Sequence, residues 1–208
     1  MISELQKLFN SARKFKLSET HSIKVSNGLY ALFEKDEVTK EGLHRIVRIG
    51  INESKGRFVS RLNDHFTGNH RGSIFRKHVG RCFLVNARRN NYLPVWNLTN
   101  KQLAISRERV DQILEDATEN EVSDFINSKC YFAIVRIEDD VNRIELEKRF
   151  ISTLGYSDLN KPTKSWLGST HPDKKIIDSG LWNVQHLKYA NRLSESDFNF
   201  LKGNIVND

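Results

Sequence analysis

A glutamate on the apolar face of a predicted helix is the first residue in this sequence that calls for a chemical explanation. Glu147 lies in a helix predicted over Arg143–Leu154 by its apolar spacing. The stripe around it consists of Ile144, Phe150, Ile151 and Leu154. A buried carboxylate is unfavourable unless it is paired or binds a metal. Two interpretations are open: an ion pair with an arginine at the edge of the core, or a ligand for a hard cation such as Mg²⁺, which often takes only one or two protein carboxylates.

Arg61, His65 and Tyr30 are the other candidates for chemistry. Arg61 and His65 lie four positions apart and therefore share one face of a helix predicted over Gly56–Phe66. Arginine can stabilise a phosphate whose charge grows in a transition state, and histidine can hold a water or transfer a proton. A solvated basic helix face is the alternative for this pair. Tyr30, near the start of a predicted strand, would either pack in the core or position a water at a phosphate.

Charge and composition favour a globular protein with a polyanionic partner. The chain has 208 residues, 38% of them hydrophobic, with a net charge of +7 and a pI of about 9.4. Basic side chains concentrate in one stretch, at Arg45, Arg48, Lys55, Arg57, Arg61, Arg71, Arg76, Lys77, Arg81, Arg88 and Arg89. The stretch Glu108–Asp124 is acidic instead. One end of the molecule should therefore be positive.

The sequence disfavours several other classes of protein. No apolar run approaches the roughly 18 residues of a membrane span, and Met1–Lys16 is amphipathic without the apolar centre of a signal peptide. We therefore expect a cytoplasmic protein that makes no membrane contact. Cys82 and Cys130 are too few for a disulfide framework, and both should be buried thiols. The absence of an HExxH motif argues against a zinc hydrolase.

The predicted elements form a small mixed domain. Strands are predicted over Leu29–Phe33 and His44–Ile51, joined as a hairpin by a charged turn at Lys35–Gly42, and again over Tyr131–Ile137. Besides those over Gly56–Phe66 and Arg143–Leu154, helices are predicted from Ile74 to Phe83 and over the acidic stretch Ser106–Asn127, whose apolar positions are Val110, Ile113, Leu114, Val122, Phe125 and Ile126. This order predicts an α/β (α+β) fold with a small, mostly antiparallel sheet of about three strands flanked by helices.

Four segments stand in order along the chain: Gly28-Leu29-Tyr30, Arg48-Ile49-Gly50, Arg61–Phe66 and the helix of Glu147. Together they resemble the two motif triplets, the arginine helix and the metal-binding glutamate of the GIY-YIG nuclease family. One position departs from the family pattern, because the second triplet normally begins with tyrosine and here begins with Arg48. Arginine cannot accept a proton at neutral pH, so Arg48 would instead contact a phosphate.

Three further segments resemble one largely uncharacterised subgroup of that family. They are the stretches 68–76 (GNHRGSIFR), 165–168 (SWLG) and 179–184 (SGLWNV). The resemblance therefore extends to about His186. It implies a helix or tether over residues 1–20, a GIY-YIG-like domain over residues 21–186 with an insertion at 86–129, and a C-terminal tail over 187–208.

The resemblance implies a metal-dependent endonuclease that hydrolyses phosphodiester bonds of nucleic acid, with DNA favoured. Glu147 would hold Mg²⁺ or Mn²⁺, Tyr30 would orient or deprotonate the attacking water, Arg61 would stabilise phosphoryl charge, and His65 would bind Tyr30 or the water chain. Nucleic-acid contacts are expected from Arg48, Arg57, His70, Arg71 and Arg76. The family's supporting asparagine has three candidates here, which are Asn160, Ser165 and Asn183.

Two other functions stay open at this point. A catalytically silent nucleic-acid-binding domain is the main alternative, and Arg48 in place of the second tyrosine is the observation that favours it. A protein-interaction domain is the second, in which the acidic stretch Ser106–Asn127 would bind a partner. That stretch could also mediate a homodimer. The sequence does not distinguish DNA from RNA, or duplex from branched substrates.

Overall fold

A three-stranded antiparallel sheet forms the centre of the protein in the computed structural model, which describes residues 1–207. Strand β1 (Gly28–Val38) lies between β2 (His44–Ile51) and β3 (Cys130–Arg136). Tyr30 is opposite Gly50 on β2 and Ile134 on β3. The predicted α+β class and antiparallel sheet are therefore confirmed.

Strand β1 is longer than the apolar pattern indicated, and the expected charged turn at Lys35 is wrong. The strand continues to Val38 because two of its acidic side chains have buried partners. Glu34 accepts hydrogen bonds from two indole N–H groups, those of Trp166 and Trp182. Glu37 pairs with the fully buried Arg45, with 2.8 Å between Glu37 Oε2 and Arg45 Nη2. Local charge suggested a turn, whereas long-range partners permit a strand.

Helices cover both faces of the sheet, because side chains of β1 alternate between two clusters of buried apolar residues. Leu29, Ala31 and Phe33 face the first cluster, together with helices α1 (Ile2–Ser11), α7 (Asp140–Leu154) and α9 (Glu195–Asn204). Tyr30 and Leu32 face the second cluster, together with α2 (Phe58–Phe66), α3 (Ile74–Asn86) and α6 (Gln112–Lys129). The shorter helices are α4 (Leu93–Trp96), α5 (Asn100–Leu103) and α8 (Lys174–Ser179). Short 3₁₀ turns lie at Leu17–Ser22, Asn90–Tyr92, Arg107–Arg109, Asp158–Asn160 and Leu167–Thr170.

The two terminal segments, expected to be a tether and a tail, both pack on this sheet. Leu5 and Phe9 of α1 and Leu201 of α9 are fully buried in the first cluster. Ile205 then forms an isolated bridge with Val135 of β3. Both segments therefore contribute to the core, while the boundaries of an independently folding domain stay a prediction.

Two apolar positions assigned from helical periodicity are exposed. Ile113 is 85% exposed, because it lies in the first turn of α6, which begins only at Gln112 and buries Glu115 rather than Ile113. Ile144 of α7 is 38% exposed. It borders an open cleft rather than the core. Among residues 1–207, no helix is long and apolar enough to cross a membrane.

Candidate active site

A cleft of about 530 Å³ opens where β1 and β2 meet α2, α3, α7 and the loop after α8. Four of the residues predicted for catalysis or nucleic-acid contact, Tyr30, Arg48, Arg61 and Glu147, line this cleft. The remainder of its wall consists of Gly50, Ile51, Glu53, Ile74, His78, Ile144, Ile151, Trp182, Asn183, Val184, Gln185 and His186. The fold therefore brings together residues that are more than a hundred positions apart in the sequence.

Buried polar side chains fix the elements that carry the site. Asn27 Oδ1 accepts hydrogen bonds from Asn52 Nδ2 at 2.9 Å and from the Gly56 amide at 2.7 Å, which ties the start of β1 to the end of β2 and the approach to α2. The fully buried Arg143 donates to the carbonyls of Asn52, which follows β2, and of Ile137, which follows β3. These bonds anchor α7 beside the ends of the two strands. Glu147 lies one turn further along α7 and therefore faces the cleft.

Tyr30 and His65 form a buried hydrogen-bonded pair at the cleft wall. The Tyr30 hydroxyl lies 2.5 Å from His65 Nε2, and His65 Nδ1 lies 2.7 Å from the Ser73 hydroxyl. Ser73 is the N-cap of α3, so the chain of contacts connects β1, α2 and the start of α3. Gly50 faces the Tyr30 ring across the hairpin, and a Cβ at this position would overlap the phenol oxygen. The tyrosine can lie across β2 because the residue opposite is glycine.

His65 is neutral in this setting. Burial lowers its pKa well below the usual value, and the positive charges of Arg48, Arg61 and Arg76 lower it further. A neutral imidazole has one donor and one acceptor nitrogen. It can therefore orient the Tyr30 hydroxyl while its other nitrogen contacts Ser73.

The environment of Glu147 contradicts the first of the two sequence interpretations, which was an ion pair with an arginine at the edge of the core. Within residues 1–207 its carboxylate makes no ion pair and no hydrogen bond. Burial raises its pKa to about 7, the nearby Glu53 raises it as well, and Arg48 and Arg61 act in the opposite direction. The structural ion pair is therefore wrong, because both arginines lie near the carboxylate without contacting it.

The donor set fits a hard divalent cation bound largely by water and substrate. Glu147 offers an oxygen ligand with no protein partner, and Glu53 lines the same cleft. Among residues 1–207 no group of three or more histidine, cysteine, aspartate or glutamate side chains could enclose a metal. Mg²⁺ and Mn²⁺ suit this arrangement, since Mg²⁺ keeps several waters and binds through one or two carboxylates plus phosphate oxygens.

Two arginines give the cleft its positive charge. Arg61 is half-buried, and its guanidinium makes no hydrogen bond or ion pair with the described residues 1–207. Arg48 donates to the Trp182 carbonyl at 3.1 Å, and its Nε lies 3.5 Å from the Tyr30 hydroxyl. Arg48 is thus held beside the tyrosine, at the place where a second tyrosine was expected from the resemblance.

Three residues predicted to contact nucleic acid instead pair with carboxylates of α6. Arg76 is 1% exposed and donates to Glu119 Oε2 at 2.6 Å, and His70 donates to Glu119 Oε1 while its ring stacks on Trp96. Arg71 forms a bidentate ion pair with Glu115. We correct the expectation for His70, Arg71 and Arg76, because α6 supplies carboxylates that neutralise these side chains. Arg57 is exposed and lies at a neighbouring pocket with Arg61.

Of the three candidates for a supporting polar residue, one lies at the cleft. Asn183 donates to the Ile49 carbonyl at 2.9 Å and accepts from the Ile49 amide at 3.0 Å, so it holds the edge of β2. Asn160 is fully buried against Gln6 and the Ile46 carbonyl, outside the cleft. Ser165 is exposed, and among residues 1–207 the hydrogen bond of its side chain is with Thr163. Asn160 and Ser165 therefore lie outside the cleft, and a supporting role for Asn183 stays a prediction.

Sequence reasoning missed four polar residues of the cleft wall, which are Glu53, His78, Gln185 and His186. His78 lies in the helix predicted from Ile74 to Phe83, and its place among the apolar residues of that helix was the available signal. Glu53 follows the end of β2 in a loop and carried no signal that separates it from other exposed acids.

The sheet order, the flanking helices and the Tyr–Arg–His–Glu cleft define a known class of domain. A family model described as GIY-YIG domain matches residues 1–206. The chain belongs to this family. No curated protein and no solved structure matches the chain.

Proposed function

We propose that this protein is a divalent-metal-dependent endonuclease that hydrolyses phosphodiester bonds, with DNA as its substrate. One observation carries the proposal: the cleft combines a carboxylate free of protein partners with a buried tyrosine–histidine pair and two arginines. Membership of the GIY-YIG family supports it, because domains of this type are typically nucleases.

Within this proposal, the Tyr30 oxygen positions the attacking water and, reacting as the phenolate, receives its proton. His65 holds the phenol in place through its Nε2. Because burial and three arginines keep its pKa low, His65 acts as a neutral partner rather than as the final proton acceptor. The Arg48 guanidinium beside the phenol oxygen stabilises negative charge on Tyr30.

Arg61 binds the nonbridging oxygens of the scissile phosphate. Its guanidinium has no protein partner among residues 1–207, so no competing ion pair must break when the substrate arrives. Arginine is suited to this role by its planar set of donors. Glu147 would hold the metal ion, which supplies Lewis-acid stabilisation of the phosphate and the leaving oxygen when bound. Asn183 keeps the edge of β2 in position through its two bonds to Ile49.

The nucleic acid is proposed to continue from the cleft along a second, basic surface. Val184 and His186 line both the cleft and a neighbouring groove that includes Lys175 and Lys188. The next groove along shares Lys188 and adds Arg192. These three basic side chains are exposed and have no side-chain partner among residues 1–207. They provide the phosphate contacts that Arg71 and Arg76, which are paired with Glu115 and Glu119, cannot make.

Incubation of the purified protein with supercoiled plasmid, single-stranded and branched oligonucleotides tests this function. The reactions contain Mg²⁺ or Mn²⁺, or EDTA instead. We expect Glu147→Gln to lower the cleavage rate by about a thousandfold or more, since metal-assisted charge stabilisation contributes several kcal/mol. Glu145→Gln is the matched control, because Glu145 is on the same helix but pairs with Lys148 and Tyr189.

Three outcomes separate the proposal from its alternatives. Cleavage that requires both the metal and Glu147 supports the endonuclease. Binding of every nucleic acid without cleavage would favour the catalytically silent binder, with Arg48 as its physical reason. Absence of any binding at low salt would remove both and leave the protein-interaction domain. A cytoplasmic location and a homodimer stay predictions.

A further inference from the structure

A chain of hydrogen bonds behind the cleft fixes the protonation state of two buried histidines. The Asp173 amide donates to His171 Nδ1 at 2.9 Å, so this nitrogen is the acceptor of the ring. The proton of neutral His171 is therefore on Nε2, which lies 3.0 Å from His78 Nδ1 and donates to it. Arg81 Nη1 also donates to His78 Nδ1, at 3.1 Å.

His78 consequently carries its own proton on Nε2. Both nearby groups that contact Nδ1 are donors, so Nδ1 must be the acceptor. Burial lowers the pKa of His78 to about 2, with His171, Arg81, Arg48 and Lys77 acting in the same direction, so the ring stays neutral. The ring is a pure donor at its Nε2 edge.

This Nε2–H group has no partner in the described part of the protein. His78 is only 2% exposed, and its Nε2 is buried without a hydrogen bond among residues 1–207. An unpaired buried donor is unfavourable by roughly 1–3 kcal/mol. His78 also lines the cleft, and because both of its ring hydrogen bonds are at Nδ1, its Nε2–H remains available to an acceptor there.

We propose that His78 Nε2 donates a hydrogen bond to a nonbridging oxygen of a substrate phosphate in this cleft. This inference rests on the proposed function and adds a binding residue to it. A phosphate is the fitting acceptor because Arg48 lies beside the same wall and contributes a positive charge there. Since His78 is neutral, it contributes to phosphate binding through a directional hydrogen bond and not through charge. It therefore positions one phosphate oxygen and does not add to the general attraction for anions.

Nuclear magnetic resonance of ¹⁵N-histidine-labelled protein with Glu147→Gln, which prevents cleavage, tests the inference directly. Free His78 should show the Nε2–H tautomer. His70 provides an internal control, because it also has an unpartnered buried Nε2 but lies outside the cleft and donates through Nδ1 to Glu119. Addition of a duplex that the wild-type protein cleaves should shift the His78 Nε2–H signals and leave those of His70 in place.

Two variants separate the hydrogen bond from packing. In the Glu147→Gln background, His78→Leu should weaken binding of that duplex about tenfold or more, as expected for a hydrogen bond to a charged acceptor. His78→Gln should restore most of this affinity, because glutamine can accept from His171 and Arg81 and still donate from its amide nitrogen. The salt dependence of binding should stay the same in all three proteins, since no charge changes.

Replacement of single phosphates of the duplex by neutral methylphosphonates identifies the contact. At one position, the loss from the replacement and the loss from His78→Leu should not add, because both remove the same hydrogen bond. Additive losses at every phosphate, or unmoved His78 signals in a bound complex, would overturn the inference while the endonuclease proposal stands. Failure of the wild-type protein to cleave or bind any nucleic acid would instead refute the proposed function.

Discussion

Replacement of Glu147 by glutamine should make the folded protein more stable at alkaline pH. The pKa of this carboxyl is raised from its usual 4.5 to about 7, chiefly because the group is buried. The folded state therefore binds the proton more tightly than the unfolded state does. The stability that comes from the protonated form is complete below about pH 4.5 and is lost progressively as the pH rises through about 7. Glutamine keeps the shape and never ionises.

The size of the effect follows from the shift. A change from 4.5 to about 7 corresponds to at most about 3.5 kcal/mol, at roughly 1.4 kcal/mol for each unit of pKa. Water reaches Glu147 from the open cleft, and solvent screening reduces the difference. We therefore expect Glu147→Gln to exceed the wild type by about 1–2 kcal/mol in free energy of unfolding at pH 8.5, and to equal it near pH 4.

Urea unfolding of both proteins between pH 4 and pH 8.5, in EDTA, measures this difference. A second series with Mg²⁺ at pH 8.5 should stabilise the wild type, because the ion binds only the folded state, and should leave Glu147→Gln unchanged. Glu145→Gln serves as the control, since Glu145 has partners at the surface and should show no gain at alkaline pH. Equal stability of Glu147→Gln and wild type at pH 8.5 would refute the burial of an unpaired carboxylate at this position.

Two further substitutions test the positions of neighbouring side chains. Gly50→Ala should lower the cleavage rate at least tenfold with little change in melting temperature, because the new methyl group displaces the Tyr30 phenol; unchanged kinetics would contradict the close approach. Glu119→Gln should lower the free energy of unfolding by about 3 kcal/mol in urea, since the buried Arg76 loses its counter-charge. Glu121→Gln, an exposed acid on the same helix, should change it by less than about 0.5 kcal/mol, and an equal loss in both variants would argue against the network.

Local sequence patterns were sufficient for the elements that carry the site. The apolar run Leu29–Phe33 and the helical spacing in Gly56–Phe66 indicated a strand and a helix where the structure has them. The position of Glu147 on an apolar face likewise predicted an unusual environment for this carboxylate. These features could be predicted because strand and helix periodicity decides which face of an element is buried.

Local patterns could not predict which side chains of the basic stretch form ion pairs and which stay free at the surface. Arg71 and Arg76 looked like surface charges, but their partners Glu115 and Glu119 lie more than forty residues later in the chain. Charge pairing between distant segments depends on how α3 and α6 pack, and no local pattern encodes that packing. Distant partners also explain why the second half of β1 was not predicted: Glu34 and Glu37 indicated a charged turn, but their partners lie in other segments.

The buried tryptophans make intrinsic fluorescence a probe of the cleft. The chain has three tryptophans, and each is at most 1% exposed, so their emission should be at short wavelength. Trp182 lines the cleft, and its carbonyl accepts from Arg48. The indole N–H groups of Trp182 and Trp166 both donate to the Glu34 carboxyl. Burial raises the pKa of this carboxyl to about 7. Fluorescence of the unlabelled protein can therefore report both ligand arrival and the ionisation of a core carboxyl, without any attached dye.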